Sequence, residues 1–283
     1  MIRLDAASVL LQWAVGGLTF LWVTTRHRQV GIGYGWLLRG VYMTLAAASL
    51  VVGRTTGPVL VRDVCAVLVV TATSVALGSS IVRRRAGVAG ERQRVEHRTA
   101  RVVAMTGIDR AVDGPDATVP EFSPRLDLVA PAIGVVGLVA AGLDAGGSSW
   151  LSVARLLVGA AFLGCISDAM LLGHWYLVQP GLARGPLLEL VRWTGRLWPF
   201  EVAVLLVPTG MVSVIDGSID DGYGGILGWM WVVCALTTIG LVGVTRAALT
   251  ERAYSAVMAA TGLLYLAILT AFGTDLVARA VLS

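Results

Sequence analysis

The chain has 283 residues, of which 56% are apolar and only 14% charged, with a formal net charge of +4 at pH 7. An average soluble domain has about 25% charged residues, so this composition excludes an ordinary soluble enzyme, a disordered chain and, despite a basic pI, a nucleic-acid-binding protein. It predicts an all-α, polytopic membrane helix bundle whose main partner is the lipid bilayer.

Long apolar runs predict where the chain crosses the membrane. A helix needs about 20 apolar residues to cover the hydrocarbon core, and its backbone must be satisfied internally. Eight runs come close to this length, at 6–25, 35–53, 64–82, 126–145, 154–178, 198–215, 223–245 and 253–276. We therefore predict transmembrane helices 1–3 within residues 1–82, a basic cytoplasmic connection at 83–125, and helices 4–8 within 126–283.

The arginines predict the orientation. All 22 basic residues are arginine. If the connection is cytoplasmic, the eight-helix arrangement leaves 17 arginines inside and 5 outside, as the positive-inside rule requires. Both termini would then lie outside, in a multi-pass protein of a bacterial-type inner (plasma) membrane. Arg26 and Arg28 flank the first run as a stop-transfer sequence would, so we expect that run to be a spanning helix.

The connection at 83–125 divides into two parts. Residues 83–105 mix arginine and glutamate with valine, which predicts a helix beside the lipid headgroups. Residues 109–124 contain several aspartates and prolines and predict a loop.

Asp168 is the clearest functional candidate, because it lies inside the fifth run, where an ionised residue costs about 2.5–3.5 kcal/mol on insertion scales. Ala160, Gly164 and Asp168 are spaced four residues apart and share one helix face. Small residues favour close helix packing, so Asp168 should point into the bundle. It is either a proton- or cation-binding carboxylate or a protonated side chain bonded to a neighbouring helix.

A second candidate site lies where the fifth and sixth predicted helices meet the cytoplasm. Aromatic rings, a histidine and arginines at one membrane level are suited to a quinone or an anionic lipid headgroup. The residues are His174, Tyr176, Arg192, Trp193, Arg196 and Glu201. The alternative is an ordinary interfacial belt of aromatic and basic residues, with Glu201 following Pro199 in a helix first turn.

The remaining polar residues predict structure rather than chemistry. Asp275 and Arg279 are spaced for a local ion pair. Cys65, Cys165 and Cys234 lie in separate apolar runs and favour packing over a disulfide or metal site. His174 is the only histidine within a run, so the chain by itself does not provide two histidine ligands for a haem.

Three functional hypotheses remain open. The first is a respiratory-type membrane subunit that binds quinone or lipid and works with other membrane or redox subunits. The second is a small proton-coupled transporter that uses Asp168 and shows a water-filled cavity and broken helices. The third is a membrane scaffold or assembly protein with a closed bundle.

Overall fold

The computed structural model describes residues 5–87, 100, 120–146, 148–179, 182–207, 210–251 and 253–282. These residues are 84% helical and include no strand, which confirms the all-α class. The helices are α1 (Ala6–Thr25), α2 (Ile32–Thr56), α3 (Leu60–Val82), α4 (Val129–Asp144), α5 (Ser149–Val178), α6 (Gly185–Leu206), α7 (Gly210–Ile215), α8 (Ile226–Ala248) and α9 (Tyr254–Leu282). A short 3-10 turn, Pro124–Leu128, leads into α4.

Seven helices are long and apolar enough to cross a membrane: α1, α2, α3, α4 with its preceding turn, α5, α8 and α9. This confirms a multi-pass membrane protein. Helix α6 has 22 residues but contains four charged side chains, and it is not among the seven. The predictions for the connection fall mostly at 88–119, where only residue 100 is described.

The predicted boundaries hold best for the first run, which coincides with α1. Asp5 caps this helix by accepting hydrogen bonds from the backbone of Ala7 and Ser8. The sixth predicted helix, 198–215, is wrong as a single element. Helix α6 begins much earlier, at Gly185, and ends at Leu206, and the short α7 follows at Gly210. Arg192 and Arg196, which precede the predicted run, lie on the exposed side of α6.

Helices α1 and α5 form the centre of the bundle and pack directly against each other. At their crossing Gly16 faces Ala160 and Gly164 so closely that a Cβ on either glycine would overlap the opposite backbone. The predicted close approach along the Ala160–Gly164 face is therefore confirmed. Helices α2 and α4 pack against α1, while α6 and α9 pack against α5.

The loops gather at two ends of the bundle. At one end, called the terminal face, the buried Arg62 pairs with Asp5 near the N-terminus and with Asp63 on α3. The same face holds the end of α9, since Arg279 and Asp5 line one cavity. At the other end, called the opposite face, Arg26 pairs with Glu189 at the start of α6. Both described chain ends thus lie at the terminal face.

Candidate functional site

The structure does not bring the six predicted quinone or lipid residues into one pocket. Arg192, Trp193 and Arg196 line a cleft between α1 and α6, whereas His174 and Tyr176 do not line it. The exposed His174 ring contacts Tyr265 of α9, with 3.0 Å between Nδ1 and the phenolic oxygen. Tyr176 is buried and donates its hydroxyl hydrogen to the carbonyl of Ala183. His174 thus contacts α9 and Tyr176 contacts the loop before α6, although their sequence positions predicted one membrane level with Arg192, Trp193 and Arg196.

Glu201 is furthest from the expected position. It lies in the last turns of α6, not in a first turn, and it is completely buried. Its electrostatic partners are Arg155, Asp275 and Arg279. Arg155 and His174 are 19 residues apart on α5, which corresponds to about 28 Å along the helix. Glu201 therefore belongs to the terminal-face half of the bundle, away from the cleft.

Asp168 points into the bundle as predicted and is completely buried. Its Oδ1 accepts a hydrogen bond from the hydroxyl of Tyr42 on α2. The hydroxyl of Tyr34, two turns earlier on α2, lies 3.3 Å from the Asp168 backbone carbonyl oxygen and donates to it. No described residue hydrogen-bonds to Asp168 Oδ2. The carboxyl group thus has one satisfied oxygen and one that is buried without a partner.

A second buried group, which we call the polar cluster, joins four helices near the terminal face. Its members are Gln12 of α1, Arg155 of α5, Glu201 of α6, and Asp275 and Arg279 of α9. The predicted pair is confirmed, because Arg279 Nε donates to Asp275 Oδ2 at 2.8 Å. The same guanidinium also reaches α1, where it donates to Gln12 Oε1 at 2.5 Å. Each of these side chains is at least nine-tenths buried.

Several atoms of the polar cluster lack partners among the described residues. They are Gln12 Nε2, Asp275 Oδ1 and both carboxyl oxygens of Glu201. These atoms belong to neighbouring side chains: Asp275 is an electrostatic neighbour of Glu201, and a Cβ placed on Gly159 would meet both Gln12 Nε2 and Asp275 Oδ1. Buried polar atoms are normally bonded. Their concentration here marks a place where a proton, a water or a solute group would bind.

Arg155 holds the end of a broken helix beside this cluster. Its Nε donates to the Val204 carbonyl at 2.8 Å, and its terminal nitrogen donates to the Val207 carbonyl at 2.7 Å. The last carbonyls of any helix lack intrahelical partners, and in a bilayer they need another donor. The buried Arg155 guanidinium supplies this donor, so α6 can end inside the protein. Helix α7 then begins at Gly210, where φ is +37°.

A cavity of about 620 Å³ opens at the terminal face above the polar cluster. Arg279 lines it and also bonds Asp275 and Gln12. Other lining residues with polar side chains are Asp5, Ser8, Thr56, Asp144 and Ser152. Arg279 thus connects the cavity to the buried carboxyl pair.

The cleft at the opposite face encloses about 340 Å³ and approaches Asp168 by a different route. Thr24 lines this cleft and lies beside Tyr34. Tyr34 in turn donates to the backbone carbonyl of Asp168. Between this route and the polar cluster lies the α1–α5 crossing at Gly16, where the two backbones touch.

Sequence reasoning missed most of the polar cluster and one other buried pair. Arg39 binds Asp127 through two hydrogen bonds of 2.8 and 2.7 Å, and both side chains are buried. Arg39 and Asp127 lie near the ends of the predicted runs 35–53 and 126–145, where a charge is ordinarily a flanking residue. The available signal was that an arginine within an apolar run needs a buried partner, which is a carboxylate for Arg39 and backbone carbonyls for Arg155.

The described residues include no group of three or more histidine, cysteine, aspartate or glutamate side chains that could hold a metal ion. All three cysteines are free, and Cys65 and Cys165 are buried, in line with a packing role. No family model, curated protein or solved structure matches this chain. Its function must therefore be argued from the geometry of its own residues.

Proposed function

We propose that the protein is a proton-coupled secondary transporter for a small solute. The observation that supports this best is the presence of two buried carboxyl groups with unpartnered oxygens, Glu201 and Asp275, as electrostatic neighbours beside a helix break and below a cavity. Discontinuous helices with ionisable groups at the break are a recurring way to build solute and coupling-ion sites in transporters. The quinone hypothesis has less support, because His174 lies apart from Trp193 and Arg196.

The proposal includes eight crossings, with α6 and α7 together forming the sixth. Residues 185–215 would reach about 45 Å as continuous helix, which is enough to span with a break. The eight crossings alternate between the two faces and bring both chain ends to the terminal face. Arginine is concentrated in the loops of the opposite face, so we place that face in the cytoplasm of a bacterial-type cell.

Charge balance in the polar cluster suggests how a proton would matter. Two carboxylates and two guanidiniums sum to zero when all are ionised. Two buried carboxyl groups that are electrostatic neighbours favour sharing one proton. A proton arriving from the cavity at a Glu201 oxygen would be hydrogen-bonded by Asp275, and the cluster would become positive. The attraction that Glu201 exerts on Arg155 would then weaken.

In this proposal Arg155 couples the charge of the polar cluster to the end of α6. It binds the carbonyls at the end of α6, so a weaker hold on Arg155 would free the end of α6 to move. Such a movement would change access from the cavity to Glu201. Asp168 would serve as a second proton site, reached from the opposite face through Thr24 and Tyr34.

Proton flux into liposomes tests the proposal. The purified protein is reconstituted with a trapped pH-sensitive dye, and flux is driven by a potassium diffusion potential, alone and with amino acids, organic acids and organic amines in turn. We expect protein-dependent proton movement that at least one solute stimulates, reduced at least tenfold in Glu201→Gln. The matched control is Glu251→Gln, since Glu251 is an exposed loop residue. Flux equal to that of empty liposomes, or unchanged in Glu201→Gln, would contradict the proposal.

Reporter fusions test the topology separately. A periplasm-active reporter placed after Ser283 should be active, and one inserted between Glu251 and Arg252 should not. A reporter active in the cytosol at the C-terminus would exclude the proposed orientation. This outcome does not depend on proton flux, so the proposed topology and the proposed transport activity can be refuted separately.

A further inference from the structure

The cleft between α1 and α6 has the composition of a headgroup site. The end of α1 and the following loop supply one wall, and the first three turns of α6 supply the other. Its lining comprises Val23, Thr24, His27, Gln29, Gly185, Pro186, Glu189, Arg192, Trp193 and Arg196. The walls thus combine loop residues that follow α1 with the indole of Trp193, which lies about 12 Å along α6 from Gly185.

Positive charge dominates the cleft. Arg192 and Arg196 lie one turn apart on the same face of α6, and neither forms an ion pair within the described part of the chain. The acidic residue of the cleft, Glu189, is already paired with Arg26. His27 adds a ring whose Nε2 lies 3.1 Å from Arg26 Nε. Two guanidiniums therefore remain available to an anion, and arginine is well suited to bind phosphate with two parallel hydrogen bonds.

The start of α6 reinforces this charge. Gly185 and Pro186 open the helix and line the cleft, so the positive end of the helix dipole lies close to it. This feature alone would not define a site, but here it accompanies two arginines in a formed cavity.

The cleft also has an apolar side that a free anion would not need. Trp193 is partly exposed, and the Phe20 ring centroid lies 6.4 Å from that of Trp193. The Arg196 guanidinium stacks over the Trp193 ring at 5.5 Å, which keeps the cation beside the indole. Tryptophan and arginine side by side suit a ligand with a charged head and an apolar tail.

We propose that this cleft binds the phosphate-bearing headgroup of an anionic phospholipid. Arg192 and Arg196 bind the phosphate, and Trp193 and Val23 contact the glycerol and upper acyl region. Basic pockets between transmembrane helices are known to select such headgroups. The assignment does not depend on transport, because it uses none of the residues of the polar cluster.

Lipid-dependent thermal stability tests this site. The delipidated protein in mild detergent is melted with added phosphatidylglycerol or with phosphatidylcholine of the same acyl chains. We expect phosphatidylglycerol to raise the melting temperature by several degrees more than phosphatidylcholine does. The difference should disappear in the double variant Arg192→Gln/Arg196→Gln. It should remain in Arg246→Gln, because Arg246 is an exposed arginine in the last turn of α8 and does not line the cleft. Each single glutamine variant should lose part of it, which keeps the test valid if the double variant does not fold.

Three further arms distinguish the ligand class. Inorganic phosphate and glycerol 3-phosphate should give no comparable stabilisation, and a short-chain ubiquinone should give none either. Stabilisation by phosphate alone would mean a free-anion site and would overturn the lipid assignment. Equal stabilisation by phosphatidylcholine or by the quinone would overturn it as well, as would a phosphatidylglycerol effect that persists in the double variant.

Discussion

Tyr42 of α2 donates its phenolic hydrogen to the buried carboxyl group of Asp168 on α5, and this bond joins two helices that neighbour α1. The Tyr42 ring packs against Gly17 of α1, where any larger residue would overlap it. The carboxyl group that the sequence marks as functional is therefore also a contact that organises three helices.

The two roles of Asp168 can be separated by a pair of substitutions. Tyr42→Phe removes the donor and leaves both carboxyl oxygens unpartnered, so we expect a loss of stability of about 1–3 kcal/mol. The Asp168→Asn variant keeps an acceptor for the Tyr42 hydroxyl, so its melting temperature should be close to that of the unaltered protein. Its proton flux in liposomes should be reduced. Thermal melting in detergent and the dye assay measure the two effects. Unchanged flux in a well-folded Asp168→Asn protein would leave Asp168 a structural residue.

The Arg39–Asp127 pair should be essential for assembly of the opposite face. Breaking a buried ion pair by removing one partner costs about 3–5 kcal/mol, because the other charge stays buried. We expect Arg39→Gln to lower the melting temperature strongly. The double variant Arg39→Gln/Asp127→Asn should recover part of the loss, since no uncompensated charge remains. Strictly additive losses in the double-mutant cycle would show that the two residues are not coupled.

The α1–α5 crossing depends on glycine. Gly164→Leu places a side chain where the Gly16 backbone lies, so the helices must separate. Overpacking typically costs about 1–3 kcal/mol, and a backbone clash more. We expect loss of the monodisperse peak in size-exclusion chromatography. Gly240→Ala is the control, because nothing lies within 4 Å of a Cβ at that position; a similar loss there would point to general intolerance.

The start of α8 should respond to acid through Asp221. Hydrogen bonds from backbone N–H groups, chiefly that of Gly225, hold the pKa of Asp221 below its ordinary value. A carboxyl group with a lowered pKa stabilises the fold above its unfolded pKa of about 3.9 and loses this effect as the pH falls through the folded pKa. Hydrogen-exchange protection of the Gly225 and Leu227 amides should therefore fall below about pH 4.

Two variants check this origin. Asp221→Asn should reduce the protection of both amides at neutral pH and remove most of its dependence on pH. Asp220→Asn should leave both unaffected, because the Asp220 carboxyl bonds the Gly222 amide instead. If the native protection stayed constant down to pH 3, Asp221 would not be the group that holds the helix start.

The sequence by itself determined the class of the protein and most of its helices. Apolar runs longer than a bilayer core require helices, because lipid offers no partner for backbone groups. The inward direction of Asp168 and the close contact at Gly164 followed from the spacing of small residues along α5, because small residues on one face let helices approach closely. The Asp275–Arg279 pair was predictable because its partners are four residues apart on one helix.

Only the tertiary structure decided which distant polar residues meet. Glu201 was assigned to the wrong end of the bundle because charge alone does not show whether α6 begins at Gly185 or at Trp198. The grouping of Gln12, Arg155 and Glu201 with the α9 pair depends on the rotation and depth of four helices, which each helix's own sequence leaves open. Buried polar groups must find partners across helices, and which partner each one finds is set by packing.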